Sequence, residues 1–237
     1  MLLLLVRLDA AAQLQPEVQA DSMAFDSFVT ATAPCAEPSL VWQRPVPATI
    51  TGLAVAVGTS PLLFDPMRRQ NILIRERSQI WRRNSFDYRQ FHFDNLLQWA
   101  PMASVAALSW AGVSSRHDGW PLMQRVASTL VVNTVITQTI KHSVTEWRPD
   151  RSASNSFPSG HTAFAFSGAE LLRLEYGHTS PWIAAAGFAV ASLTGLMRIY
   201  NDRHWAGDVL AGAGIGILAA DLSFWLNDLI DRKLWKQ

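Results

Sequence analysis

Five or six apolar stretches, each long enough to cross about 30 Å of hydrocarbon, most constrain what this chain can fold into. They cover roughly residues 46–64, 96–113, 122–140, 160–176, 181–197 and 205–226. Hydrophobic residues make up 49% of the chain and charged residues only 16%. An ordinary soluble domain has about a quarter of its residues charged. The pattern therefore predicts an all-α, membrane-embedded helical bundle of about six spans.

Several of the predicted spans contain polar side chains. Arg125, Asn133 and Gln138 interrupt the third span, and Glu170 and Arg173 shorten the fourth. Because a charged or amide side chain is costly against lipid, these groups should face the interior of the bundle.

Three short strings carry the residues that are suited to chemistry. In chain order they are Lys141-x6-Arg148-Pro149, Pro158-Ser159-Gly160-His161 and Arg198-x5-His204-x3-Asp208. A phosphoryl group in transfer spreads negative charge over its oxygens, so a site without a metal needs several fixed cations and N–H donors. Lys141, Arg148 and Arg198 supply the charge, and Ser159 and Gly160 supply a hydroxyl and an unobstructed amide at a helix start. The set predicts a phosphate-transfer site with no metal and no cofactor.

In these strings the chain resembles the type 2 phosphatidic acid phosphatase superfamily, which shares its core with the vanadium haloperoxidases. The resemblance runs from about residue 93 to about residue 226, and its three motifs are matched by residues 141–149, 158–161 and 198–208. One position departs from the family pattern. The family usually has Ser before the third-motif arginine, whereas this chain has Met197, which cannot donate a hydrogen bond to phosphate. The ordered set of three motifs is highly specific.

The resemblance implies a role for each motif residue. His204 is the nucleophile that becomes phosphohistidine, Asp208 fixes its tautomer, and His161 protonates the leaving group and then activates water. The phosphoryl oxygens are held by Lys141, Arg148, Ser159, Gly160 and Arg198. The expected activity is metal-independent hydrolysis of a lipid phosphomonoester or pyrophosphate. Candidate substrates are phosphatidic acid, phosphatidylglycerol phosphate, undecaprenyl pyrophosphate and the phosphates of lipid A.

Spacing supports part of this interpretation. His204 and Asp208, four residues apart, would share one face of a helix, although such a pair alone is more often a structural contact. Lys141 and Arg148 are close to two helical turns apart, so they would share a face until Pro149 ends the helix.

Other features of the apolar region are predicted to be structural. Some arginines and histidines match no motif position and are expected as solvated loop charges or structural residues; they are Arg151, Arg203, His92, His117, His142 and His178. Asp94 is expected to cap the N-terminus of the second span. Gly212 and Gly216 would allow a second helix to pack closely behind the catalytic histidine.

Residues 1–45 differ from the rest of the chain. Their apolar start, residues 1–6, is too short to span a membrane, and a polar, acidic stretch follows. They are predicted to be a leader or a flexible N-terminal extension. Residues 46–237 would then form the integral membrane phosphatase domain, with its motif-bearing core at 93–226.

An arginine-rich segment separates the first two spans. It contains Arg68, Arg69, Arg75, Arg77, Arg82, Arg83 and Arg89. Apolar residues interleave with these arginines, so a basic amphipathic helix lying on anionic headgroups and a solvated loop are both open alternatives.

Two considerations about membrane orientation conflict. With six spans, the motif face carries 12 of the Lys and Arg residues and the opposite face eight, which by the positive-inside rule predicts a cytoplasmic site. The resemblance instead implies a bacterial inner-membrane protein whose site faces the periplasm. We prefer the periplasmic orientation, because active-site cations serve the substrate and do not report orientation.

Charge and cysteine content narrow the possible partners. A net charge of +1 gives no reason to expect nucleic acid, and a single Cys35 excludes an internal disulfide framework. The expected partners are a lipid phosphate substrate and membrane lipids. Two rivals remain open: a vanadate-dependent haloperoxidase, which would bind vanadate with the same residues, and a non-catalytic lipid-phosphate binder.

Overall fold

The computed structural model describes residues 48–85 and 92–234, and these residues fold almost entirely into helices. The helices are α1 (Ala48–Leu63), α2 (Asp65–Ser85), α3 (Asp94–Leu97), α4 (Ala100–Trp110), α5 (Trp120–Ser143), α6 (Gly160–Tyr176), α7 (Pro181–Tyr200) and α8 (Ala206–Leu234). Within the described residues the extended pairing is limited to one bridge, between Glu146 and Asn155. The all-α prediction is therefore confirmed. The predicted leader at residues 1–45 lies outside the described residues.

Each apolar stretch of the sequence contains a helix, but the helices differ in length and polarity. In the described part of the chain, α7 and residues Ala206–Arg232 of α8 are long and apolar enough to cross a membrane. Helix α1 has 16 residues and α4 has 11, short of the roughly 20 that a perpendicular span needs. Helices α5 and α6 bury polar side chains along their length. Two candidate spans are thus supported, and six are not confirmed.

Helix α6 lies at the centre of the bundle, and α8, α7, α4 and α5 pack around it. Its buried face continues into an apolar cluster at the end remote from the motifs. That cluster consists of Met102, Val105, Leu122, Leu171, Leu172, Leu174, Tyr176 and Phe224. The Tyr176 hydroxyl donates to the Val105 carbonyl at 2.9 Å, so this end of the bundle is fixed by a hydrogen bond as well as by packing.

Two glycines of α8 allow it to lie directly against α6. A Cβ at Gly216 would lie 2.2 Å from the Ala163 carbonyl oxygen, and one at Gly212 would lie 2.6 Å from the Ser159 carbonyl oxygen. Both neighbours are backbone atoms, which cannot rotate away. The predicted close approach is confirmed, and the backbone of Ser159, a second-motif residue, lies at this crossing.

Most of the polar residues in the predicted spans face inward, as expected. Arg125 is 1% exposed, and its Nη2 donates to Asp228 at 2.9 Å and to Asp231 at 3.0 Å. Glu170 and Arg173 form a buried ion pair one turn apart. Asn133 is also buried, but the expectation was wrong for Gln138, which is exposed.

The arginine-rich segment forms the helix α2, which excludes the solvated-loop alternative for residues 65–85. Asn71 Oδ1 accepts from the Gly207 amide at 3.2 Å, and Gln79 Nε2 donates to Asp202 at 3.0 Å. The Trp81 ring meets Tyr200 edge-on, with 5.5 Å between centroids. Helix α2 is thereby fastened to the segment that carries the third motif. Arg89 lies outside the described residues.

The helix crossing gives a stability prediction. Replacing Gly216 with Ala should lower the free energy of unfolding by about 1–3 kcal/mol, because the new methyl group overlaps the backbone of Ala163. Thermal unfolding of the purified protein in detergent measures the loss. Gly52→Ala is the matched control, because a Cβ there meets nothing within 4 Å. Equal stability of the two variants would contradict the close crossing.

Candidate active site

The first motif begins in the last turn of α5 and continues into a loop that folds back on itself. Helix α5 ends at Ser143, so Lys141 stands in its last turn while Arg148 lies in the following loop. The Arg148 amide donates to the Ala153 carbonyl at 2.9 Å, and the Glu146 amide to the Ser154 carbonyl at 3.2 Å. The prediction that Lys141 and Arg148 share a helix face was therefore wrong. Loop pairing, which helical spacing does not encode, positions Arg148 instead.

The second motif begins helix α6. Ser159 is the N-cap residue, with an extended backbone, and Gly160 is the first helical residue. The Ser159 hydroxyl is buried and bonds to Thr162 Oγ1 at 2.8 Å. A Cβ at Gly160 would lie 3.6 Å from Lys141 Cε, so the lysine of the first motif runs alongside the helix start. The ammonium group donates to the Asn155 carbonyl at 2.9 Å.

The third motif lies in the connection from α7 to α8. Asp208 is in the first turn of α8, whereas His204 precedes that helix. Their nearest atoms, His204 Nδ1 and Asp208 Oδ2, are 3.5 Å apart. The two side chains face each other as predicted. However, they are brought together by the turn before α8, because His204 and Asp208 do not share a helical face.

Asp208 connects the second and third motifs. Its Oδ2 accepts from the Ser156 hydroxyl at 2.5 Å and from the Trp205 amide at 3.0 Å. Its backbone carbonyl accepts from the Ser159 amide at 3.0 Å. The Ser156 hydroxyl also lies 3.5 Å from His204 Nδ1. Sequence reasoning missed Ser156, because a serine two residues before the second motif has no distinguishing spacing.

His204 is only 2% exposed. Burial lowers the pKa of its imidazole to about 4, although the adjacent Asp208 carboxylate acts in the opposite direction. The ring is therefore neutral at pH 7 and keeps a nitrogen lone pair. A neutral imidazole with one nitrogen turned to a carboxylate is the form in which histidine acts as a nucleophile.

Arg198 is held by a residue that was expected to have another function. Its Nη1 donates to Asp94 Oδ2 at 2.5 Å, and both side chains are buried. Asn201 Nδ2 lies 3.4 Å from the other oxygen of Asp94. The N-cap prediction for Asp94 was wrong, because the residue before it occupies the cap position and makes no side-chain cap bond. The Asp94 carboxylate pairs with the buried Arg198 guanidinium instead. A single sequence does not reveal this pairing.

Asn95, the residue after Asp94, contacts His161 of the second motif. Its Oδ1 lies 2.9 Å from His161 Nε2, so the short helix α3 contributes partners to two motifs. Arg203, expected as a solvated charge, donates to Asp150 at 3.1 Å and joins the first-motif loop to the third. His117, in contrast, is structural as predicted, because its Nδ1 lies 3.0 Å from the buried Glu175.

The cations of the site lie close enough to repel one another. Lys141 lies just beyond the predicted span 122–140. Burial, followed by the charge of Arg148, lowers its pKa to about 8. Arg148 Nε is buried and has no hydrogen-bond partner in the described part of the chain. An anion placed among these groups would satisfy a buried donor and relieve the repulsion.

Residues 123–230, which contain all three motifs, match the family model described as the PAP2 superfamily. The resemblance drawn from the motifs is confirmed.

Two curated relatives match parts of the chain. A Lipid A 1-phosphatase from Porphyromonas gingivalis is 43% identical over 145 residues, which is 60% of this chain and 33% of that protein. The bacitracin transport permease protein BcrC of Bacillus licheniformis is 40% identical over 77 residues, which is 32% of this chain and 36% of that protein. The matched region is about a third of the length of each relative.

A solved structure has a similar fold. It is the transmembrane PAP2-type phosphatidylglycerolphosphate phosphatase from Bacillus subtilis, which is 17% identical and aligns with a TM-score of 0.55. The alignment covers 78% of this chain and 96% of that one. At this identity the likeness supports the helical PAP2 fold only.

The buried Asp94–Arg198 pair gives a prediction about the site. Asp94→Asn should lower kcat/KM for phosphate release about 10- to 100-fold, because Arg198 loses the charge that orients it, and a contact to a charged group contributes about 1.5–3 kcal/mol. Steady-state assays on phosphatidic acid in detergent measure the change. Asp228→Asn is the matched control, since Asp228 also pairs with an arginine, Arg125, remote from the motifs. Equal losses of kcat/KM in the two variants would show that Asp94 stabilises the fold and does not orient Arg198 for catalysis.

Proposed function

We propose that this chain is a membrane-embedded phosphatase that hydrolyses a lipid phosphomonoester or pyrophosphate through a phosphohistidine intermediate, without a metal. The observation that carries the proposal is the environment of His204. Its Nδ1 faces the Asp208 carboxylate and the Ser156 hydroxyl, while Nε2 makes no hydrogen bond to any described residue. The ring is thus oriented by one nitrogen and available through the other.

In the first step, Nε2 of His204 attacks phosphorus in line with the leaving oxygen. A P–N bond forms as the P–O bond to the lipid breaks, and the bonding electrons pass to the leaving oxygen. His161 donates a proton to that oxygen, so that an alcohol or a phosphate leaves. Burial and the charge of Arg198 lower the pKa of His161 to about 4, and the negative charge of the bound phosphoryl group raises it again, so that the proton is carried with the substrate. Asp208 stabilises the positive charge that develops on His204.

In the second step, water replaces the lipid. His161, now neutral, accepts a proton from water, whose oxygen attacks phosphorus. The P–N bond breaks, its electrons return to His204, and inorganic phosphate leaves. The contact between His161 and Asn95, at 2.9 Å, supports a fixed ring position in both steps.

The phosphoryl oxygens are assigned to the motif cations and to the start of α6. Lys141, Arg148 and Arg198 supply positive charge, and Gly160 supplies an amide beside the Ser159 cap. These groups stabilise the transition-state charge that a divalent ion would stabilise in other phosphatases. Within residues 48–85 and 92–234 no group of three or more His, Cys, Asp and Glu side chains is arranged as a metal site.

The relatives and the apolar helices support a lipid phosphate as the substrate. The Porphyromonas gingivalis relative is named for lipid A, and the structure with a similar fold for phosphatidylglycerolphosphate. Both are anionic lipids that carry a phosphomonoester. The 43% identity with the first supports the phosphates of lipid A as the first substrates to test.

Replacing His204 tests the proposal. His204→Ala should reduce phosphate release by at least about 10³-fold, because no other motif group is positioned to attack phosphorus. Phosphate release from phosphatidic acid and lipid A is measured in detergent with EDTA present, together with acid-labile, base-stable labelling of the protein. The labelled species should appear in the wild type alone. His142→Ala, at an exposed histidine near the end of α5, is the control.

Two results would oppose the mechanism. Turnover by the His204→Ala protein at the wild-type rate would exclude His204 as the nucleophile. Complete loss of wild-type activity in EDTA, with recovery on adding magnesium, would exclude metal independence.

We further infer that the protein lies in a bacterial inner membrane with its site open to the periplasm. Single cysteines at positions 152 and 116, in a Cys35→Ser background, sample the motif loop and the opposite end of the bundle. An impermeant maleimide added to intact spheroplasts should label position 152 and spare position 116. The reverse pattern would put the site in the cytoplasm.

A further inference from the structure

A cavity of about 650 Å³ lies beside the motifs, between α1, α2 and the loop that carries Arg148. It reaches Arg148 and Asp208 of the site already described. Its opposite wall belongs to α2, which contributes Arg68, Asn71 and Arg75. A single phosphate group would occupy only a fraction of this volume, which lies within the range of about 300–1,000 Å³ that is typical of small-molecule pockets.

The charge of the cavity exceeds what the transferred phosphate needs. Four arginines line it, and they are Arg68, Arg75, Arg148 and Arg151. Two carboxylates face them, those of Glu146 and Asp208. Asp208 already accepts two hydrogen bonds, from Ser156 and Trp205. The remaining cationic excess is suited to an anion.

The pKa of Glu146, a carboxylate of the cavity wall, responds to an arginine of α2. Burial and the charge of Asp208 raise the pKa of Glu146, while Arg68 acts in the opposite direction. Arg68 lines the cavity from α2, and its guanidinium makes no hydrogen bond or ion pair with any described residue. Its guanidinium is available for a ligand.

The other two arginines outside the motifs are positioned by the backbone or by contacts. Arg75 is placed over the Trp205 ring, 5.7 Å from its centroid, with its Nε 3.6 Å from Asp202 Oδ1. Arg151 has a left-handed backbone, with φ of 58°, which is uncommon for a residue other than glycine. Such positions cluster where function requires a particular side-chain direction.

The cavity also has an apolar wall. Pro61 and Leu62 from α1, Ile72 from α2, and the rings of Trp147 and Trp205 line it. Apolar and cationic surfaces side by side fit an amphiphile whose anionic headgroup meets the arginines.

We propose that this cavity is a second phosphate subsite, in which Arg68, Arg75 and Arg151 bind an additional phosphate of a lipid that carries two phosphate groups. The inference rests on the proposed function, because it assumes that the other phosphate lies at His204. It narrows the preferred substrates to lipids with a second phosphate, either on the same headgroup or within a pyrophosphate. Planar guanidinium groups suit this role, since each donates two parallel hydrogen bonds to phosphate oxygens.

The test compares matched substrates with the variant Arg68→Gln. One pair is lipid A with both phosphates and a lipid A that keeps the phosphate hydrolysed by the enzyme but lacks the second phosphate. The other pair is undecaprenyl pyrophosphate and undecaprenyl phosphate, which distinguishes a pyrophosphate from two separated phosphates. Arg69→Gln is the control, because Arg69 is the next residue of α2 and does not line the cavity.

Arg68→Gln should raise KM for the two-phosphate member of at least one pair about 10- to 100-fold, with kcat nearly unchanged. KM for the one-phosphate lipids should change less than about twofold, and Arg69→Gln should leave all four values unchanged. Equal effects on one-phosphate and two-phosphate lipids would overturn the subsite and indicate general attraction of anionic headgroups. No effect on any lipid would also overturn it.

A binding measurement separates this inference from the proposed function. Calorimetric titration of the His204→Ala protein with two-phosphate and one-phosphate lipid A needs no turnover. Tighter binding of the two-phosphate lipid, lost on adding Arg68→Gln, would support the subsite even if the wild type released no phosphate. Normal turnover with no difference in binding would refute the subsite and leave the phosphatase intact.

Discussion

The geometry of the site depends on the Asp208 carboxyl group and on the backbone carbonyl of the same residue. The carboxylate faces His204 and accepts from Ser156 and the Trp205 amide, while the carbonyl accepts from the Ser159 amide. One residue thus holds the turn before α8 against the start of α6. Because His204, Asp208, Ser156 and Ser159 are buried, a bond lost between them would leave an unsatisfied polar atom. That cost keeps the second and third motifs in register.

The arrangement requires that α6 and α8 lie closer together than ordinary side chains allow. Gly212 and Gly216 permit it, since any Cβ at these positions would meet the backbone of α6. The crossing sits directly beside Ser159 and Asp208. Small-residue packing and the chemistry of the site are therefore coupled, because a helix displaced by a methyl group would lengthen the hydrogen bond that joins the two motifs.

Much of the site could be predicted from the sequence, but its supporting residues could not. The motif residues were identifiable because three short strings in a fixed order resemble a known family, and their cations suit a phosphate group. Asp94, Asn95 and Ser156 were missed or misassigned, because acidic, amide and hydroxyl residues are common and nothing in their local spacing marks them. Their partners, Arg198, His161 and Asp208, are 104, 66 and 52 residues away in the chain.

The sequence by itself determined the helical class and the resemblance to a known family, since apolar length and motif order are local properties of the chain. It also determined that most polar residues in the apolar stretches face inward, because lipid gives them no hydrogen bonds. Tertiary structure alone decided how α2 is oriented. Its arginines were compatible with a membrane surface or with solvent, and contacts with Gly207, Asp202 and Tyr200 turned Arg68 and Arg75 toward the site. Those contacts join residues more than 100 positions apart, and no local pattern encodes them.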